Sequence, residues 1–181
     1  MKFIRQYQSD IYGNYRIAYL RDGALTGVVI AVAVLFCKLI YYPIHSPENY
    51  VTEAVLLVAT LFFAYRYRER LPEKKVFFKE LMLYGLGLGV VAAAVYGLFL
   101  LFYGGVVDKE FPTRCLQHFI NGEMNGSAPE EQKMATIEVM KAYKLRTWAF
   151  IGFFRTAVMS IMSAFIAALV FRTEKNVVKK K

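Results

Sequence analysis

Between Glu80 and Asp108 the chain carries no charged residue, and that stretch limits what it can fold into. At about 1.5 Å of rise per residue, a helix over 81–107 is about 40 Å long, enough to cross a hydrocarbon core of about 30 Å with some tilt. The stretch also has a four-residue period, with Gly85, Gly89, Ala93 and Gly97 on one helical face. Lipid supplies little hydrophobic force between helices, so a face stripped of large side chains is where backbones approach and van der Waals packing concentrates. The last apolar stretch repeats the pattern with Gly152, Thr156, Ser160, Ala164 and Ala168. The spacing predicts that these two ridges pack on each other.

The composition agrees, with 57% hydrophobic residues, 20% charged and a mean hydropathy of +0.35, outside the range of ordinary soluble domains. A net charge of +9 could suggest nucleic acid, but the basic residues flank the apolar stretches, which reads as membrane topology. No nucleic-acid partner is expected. Cys37 and Cys115 have neither disulfide nor metal spacing and read as free thiols. Residues 1–22 are too polar and aromatic for the core of a signal peptide, so no cleaved leader is expected.

Four spans are predicted, over about 23–42, 47–67, 78–107 and 148–171. Gly27 and Ala31 give the first a small-residue face, and Tyr41 and Tyr42 mark its interface. Ser46, Pro47 and Glu48 form a helix-start signal for the second. Before the first span, residues 1–22 read as an amphipathic helix at the headgroups or a loosely ordered tail. The polar insertion 108–147 reads as a helical hairpin. One short helix over 112–120 closes at Asn121-Gly122, and a second, opened by Ser127 and Glu130, places Met134, Ile137, Met140 and Tyr143 on one face. Lys and Arg number four before the first span, six between Arg66 and Lys79, and five in the tail 172–181; the first loop has none and the long insertion six. The positive-inside rule then puts both termini in the cytoplasm and the insertion outside. The expected fold is all-α, an integral membrane four-helix bundle with an extracytoplasmic hairpin between spans 3 and 4.

Tyr65, Arg66, Tyr67 and Arg68 close the second span, and Phe77, Phe78 and Lys79 lead into a glycine-rich third. With the Glu- and Met-containing hairpin, a last span starting near Trp148 and a lysine-rich tail, the chain resembles the DUF4199 family of small membrane proteins over nearly its whole length. The resemblance implies a four-span bacterial inner-membrane protein of a family found mainly in Bacteroidetes, with no assigned activity and no catalytic residue to carry over.

Three ionisable residues fall inside the expected spans, where each costs about 2.5–3.5 kcal/mol on insertion scales: Lys38, Glu53 and Arg155. All three lie toward the outer ends of their helices, and Lys38 and Glu53 share faces with small residues. They are expected to meet inside the bundle, as a Glu53 ion pair with one cation while the other snorkels, or as a site for an anionic group such as a lipid phosphate. The spacing of His45, Glu48, Cys115 and His118 matches no metal motif, and no phosphate loop, paired carboxylates or activated nucleophile is present. No metal, cofactor or enzymatic activity is expected. The leading expectation is an accessory or interaction protein among membrane lipids, working with a membrane-protein partner or a second copy of itself. That partner is read as an enzyme acting on lipid-linked substrates, for example a lipid-linked glycosyltransferase. The alternative is a small oligomeric transporter or channel using Lys38, Glu53 and Arg155. The basic turn from Arg66 to Lys79 is first a topology signal and second a contact for anionic lipid of the cytoplasmic leaflet.

Overall fold

A computed structural model describes residues 2–39, 50–71, 74–124 and 129–173, excluding the side chains of 2–17, 38, 39, 119 and 122–124. The regular structure among them is helical: α1 (Lys2–Leu39), α2 (Val51–Arg70), α3 (Phe78–Phe102), α4 (Phe111–Met124), α5 (Glu130–Lys141) and α6 (Leu145–Phe171). A π-helical turn, Tyr103–Val107, continues α3.

Among the described residues, three helices are long and apolar enough to cross a membrane, over Ala18–Cys37, Phe78–Val107 and Leu145–Phe171. The expected boundary between residues 1–22 and the first span falls inside one continuous helix, α1. Gly13 and Asn14 do not interrupt α1, and Arg21 and Asp22, which fall within its apolar segment, pair with each other at 2.9 Å. Helix α2 carries Glu53 near its start and Arg66, Arg68, Glu69 and Arg70 at its end, so its charge-free run covers only 54–65. The expected start at Ser46 and Pro47 and the interfacial Tyr41 and Tyr42 lie outside the described residues.

The outer surface of the helices is apolar, unlike that of a water-soluble protein. Along α3 and α6 many large side chains face outward, with Leu98 66%, Phe102 59%, Phe150 62% and Phe154 59% exposed, while the small Ala93 and Ala164 are fully buried beside larger buried groups such as Leu81, Tyr84 and Leu88. Bulky groups outside and small ones between helices is the arrangement that lipid favours. Helix α3 packs on α6 by one face and on α1 by another, and α2 packs on α1 and α6. A Cβ added to Gly23 would fall 2.8 Å from Val91 Cβ, and one on Gly27 2.6 Å from Val95 Cβ, so α1 and α3 run parallel.

The ends of these helices are tied down by local chemistry. The Glu80 carboxylate accepts from the Phe77 N–H at 3.2 Å, satisfying a free donor at the start of α3. After the π-helical turn the chain reverses, and the buried Asp108 carboxylate accepts from the Tyr103 hydroxyl at 2.9 Å and from Arg114. Helix α4 runs to Met124, past the stop expected at Asn121-Gly122, because a glycine in the last turn of a helix need not end it. Helix α5 begins at Glu130 after Pro129; the expected capping partner Ser127 lies outside the described residues. Of the expected stripe on α5 only Ile137 is buried; Met134 is 62% exposed, and Tyr143, beyond the helix end, packs edge-on against Trp148. Helix α4 contacts both α5 and α6.

At the opposite end, Thr173 after α6 closes on Val76 before α3. The Val76 N–H donates to the Thr173 hydroxyl at 2.7 Å and the Thr173 N–H donates to the Val76 carbonyl at 3.2 Å. Thr173→Ala removes the first of these and leaves a buried backbone donor free. We expect a loss of about 1 kcal/mol, seen as a fall of about 2–4 °C in the melting temperature in mild detergent.

Candidate functional site

The two small-residue ridges meet. A Cβ on Gly85 would lie 2.7 Å from Ala164 Cβ, and one on Gly89 would collide with Ser160, so each four-residue step up α3 is a four-residue step back along α6. The same step sets Ala93 level with Thr156, both buried, and a Cβ on Gly152 would fall 2.5 Å from Leu100 Cδ1. Gly97 sits against Phe153 and the Ala149 carbonyl, and Ala168 is buried beside Leu81 and Tyr84. The hydroxyls in this seam bond to their own helix, Thr156 to the Gly152 carbonyl at 2.9 Å and Ser160 to the Ala157 carbonyl at 2.6 Å. That removes the cost of burying them without tying them to a neighbour.

Where α2 crosses α6, Glu53 pairs with Arg155. The partners differ in setting: the Glu53 side chain is 12% exposed and that of Arg155 47%. Glu53 lies in the first turn of α2, where free N–H groups favour an acid, and Arg155 is about 15 Å along α6 from its start. Only Glu53 Oε1 is engaged; Oε2 is buried with no hydrogen-bond partner. Tyr96 of α3 shares a hydrogen bond with Thr52 and is close enough to feel both charges. Lys38 is in the last turn of α1, and its side chain lies outside the described residues.

A second charged cluster, not foreseen from the sequence, lies at the end of the molecule that carries the basic turn. Asp22, 1% exposed, accepts from the Tyr84 hydroxyl at 2.6 Å and from Arg21 at 2.9 Å. Tyr84 stacks on Tyr67, ring centres 4.5 Å apart, joining α1, α2 and α3. The sequence does hold a signal for it: Asp22 and Thr26 fall on one face of α1, an odd place for two polar residues unless that face turns inward.

Cys37 and Cys115 are free and buried, and burial pushes the Cys115 thiol up to about 12, far from a reactive thiolate. Among the described residues no three His, Cys, Asp or Glu side chains converge as a metal site would need. His45 and Glu48 lie outside them.

A family model described as "Protein of unknown function (DUF4199)" matches residues 21–173. No curated protein and no solved structure matches the chain.

Proposed function

The chain belongs to the DUF4199 family, and from that starting point we propose a non-enzymatic four-span protein of the bacterial inner membrane that holds a phosphate-bearing lipid against Arg155. The fourth span is α2. The parallel course of α1 and α3 supports a return crossing by the helix between them, which with its expected extension toward Pro47 would be long enough. Both termini and the basic turn then share the cytoplasmic side, with α4 and α5 as an outer hairpin.

One observation carries the lipid reading. Arg155 lies within a span, is fixed by a buried acid, and still leaves 47% of its side chain exposed on the outer surface of α6. A guanidinium has five N–H donors in a rigid fork, and Glu53 engages only one edge. The remaining donors are left for an acceptor other than Glu53, and by snorkelling toward the outer interface the side chain would reach a lipid phosphate. A protein that orders a lipid in this way, with no catalytic set beside it, suits an accessory role. Its partner would be a larger membrane enzyme working on lipid-linked substrates, such as a lipid-linked glycosyltransferase.

The test is lipid retention. Native mass spectrometry of protein purified in mild detergent should find anionic phospholipid or polyprenyl phosphate on the native chain and about one bound lipid fewer per chain on Arg155→Gln. Equal retention would remove the lipid reading. A second reading, an oligomeric transporter or channel, draws support from the unpartnered Glu53 Oε2 and Thr60 Oγ1, two turns apart on one face of α2. Proton or ion leak in reconstituted vesicles, abolished by Glu53→Gln, would favour it instead.

A further inference from the structure

We propose that Arg68 and Arg70, at the end of α2, form a second and separate site for a phosphate group, supplied by the headgroup of an anionic lipid in the leaflet at the basic end of the molecule. The starting point is Arg68. It follows the buried Tyr67 and lies one turn beyond Ala64 and two beyond Thr60, the face of α2 that turns inward. Its Nε is buried and has no hydrogen-bond acceptor. A buried cationic donor left empty is costly, so the missing acceptor calls for an account.

Each of the described carboxylates nearby already has another partner. Asp22 is taken by Arg21 and Tyr84, Glu69 by Lys74 at 2.6 Å, and Glu80 by the Phe77 N–H. The Glu69 contact also holds the exposed Lys74 ammonium above its ordinary range. Arg70 is close enough to the Tyr84 hydroxyl to act on it electrostatically, and it has no carboxylate partner among the described residues. No described carboxylate therefore supplies the acceptor, and a cationic donor is best met by an anionic one, which a lipid phosphate would provide.

Depth points to lipid as its source. Tyr65, three residues before Arg68, is 46% exposed and stacks on Phe171 at the end of α6, with ring centres 5.8 Å apart. Exposed tyrosine marks the level of the headgroups, and the two arginines lie just beyond it. Phe62, 52% exposed with the Arg66 guanidinium over its ring, and Val58, 66% exposed, continue the outward apolar face of α2 along which an acyl chain would run.

The experiment uses the full chain carrying Arg155→Gln, which keeps the site proposed above out of the result. Dioleoylphosphatidylglycerol, dioleoylphosphatidylcholine and inorganic phosphate are added separately, with bound lipid read by native mass spectrometry and protection by thermal melting. The glycerol lipid should bind about tenfold more weakly to R68Q/R70Q, with the choline lipid indifferent to the change. R68K/R70K, which keeps the charge but not the planar fork, should fall between and serves where the glutamine variant does not fold. Protection by inorganic phosphate equal to that by the glycerol lipid would keep the phosphate site and overturn lipid as its source. Equal binding of the glycerol lipid to all three proteins would overturn the proposal.

Discussion

Gly89→Leu is expected to cost more than about 3 kcal/mol, enough to unfold much of the protein in mild detergent where the native chain remains intact. The Cβ alone would land on Ser160, and the rest of the leucine has nowhere to go because Gly85 and Ala164 meet just as closely one turn away. Helix α3 has no freedom to retreat, since its other face is held at similarly close range by Gly23 and Gly27 of α1. Lipid offers little compensation, as leucine is no better placed in the seam than among acyl chains. Gly105→Ala is the matched control: a Cβ there meets only Leu145 Cδ2 at 3.6 Å, an ordinary contact, and the change should stay within about 0.5 kcal/mol. Thermal melts followed by circular dichroism would read both. A Gly89→Leu protein melting within about 2 °C of the native chain would mean that α3 and α6 do not pack along this seam.

How much of this could be read beforehand depended on whether a signal was local. The ridges of α3 and α6 were legible because small residues every fourth position define a face without reference to any partner. Glu53 and Arg155 were legible for a related reason, since an ionisable group inside a span is expensive unless it is met. Asp22 escaped because it follows Arg21 and precedes an apolar run, which reads as a span boundary in water. Its burial depends on Tyr84, 62 residues further on, and no periodicity reports that. The uninterrupted course of α1 was hidden by Gly13 and Asn14, whose cost of about 1 kcal/mol or less each a long helix can absorb. Around Gly122 the stop signal was local and true in kind, but it marked the last turn and not the last residue.

Asp22→Ala is the second large effect, with an expected loss of about 2–4 kcal/mol. The ion pair with Arg21 is the smaller part, because the Arg21 side chain is 55% exposed and its charge is screened whether or not the carboxylate is present. The larger part is Tyr84. It is fully buried, and once Asp22 is gone its hydroxyl has lost the 2.6 Å acceptor that made burial tolerable. Tyr84→Phe should cost less, about 1–2 kcal/mol, since the carboxylate keeps Arg21 and the ring still stacks on Tyr67. Combining the two changes removes donor and acceptor together and leaves neither orphaned. The double variant should therefore be more stable than the sum of the single losses allows, by about 1 kcal/mol or more in a double-mutant cycle. Strict additivity would show that the hydrogen bond contributes nothing, and that Asp22 matters only through Arg21 and the space it fills between α1 and α3.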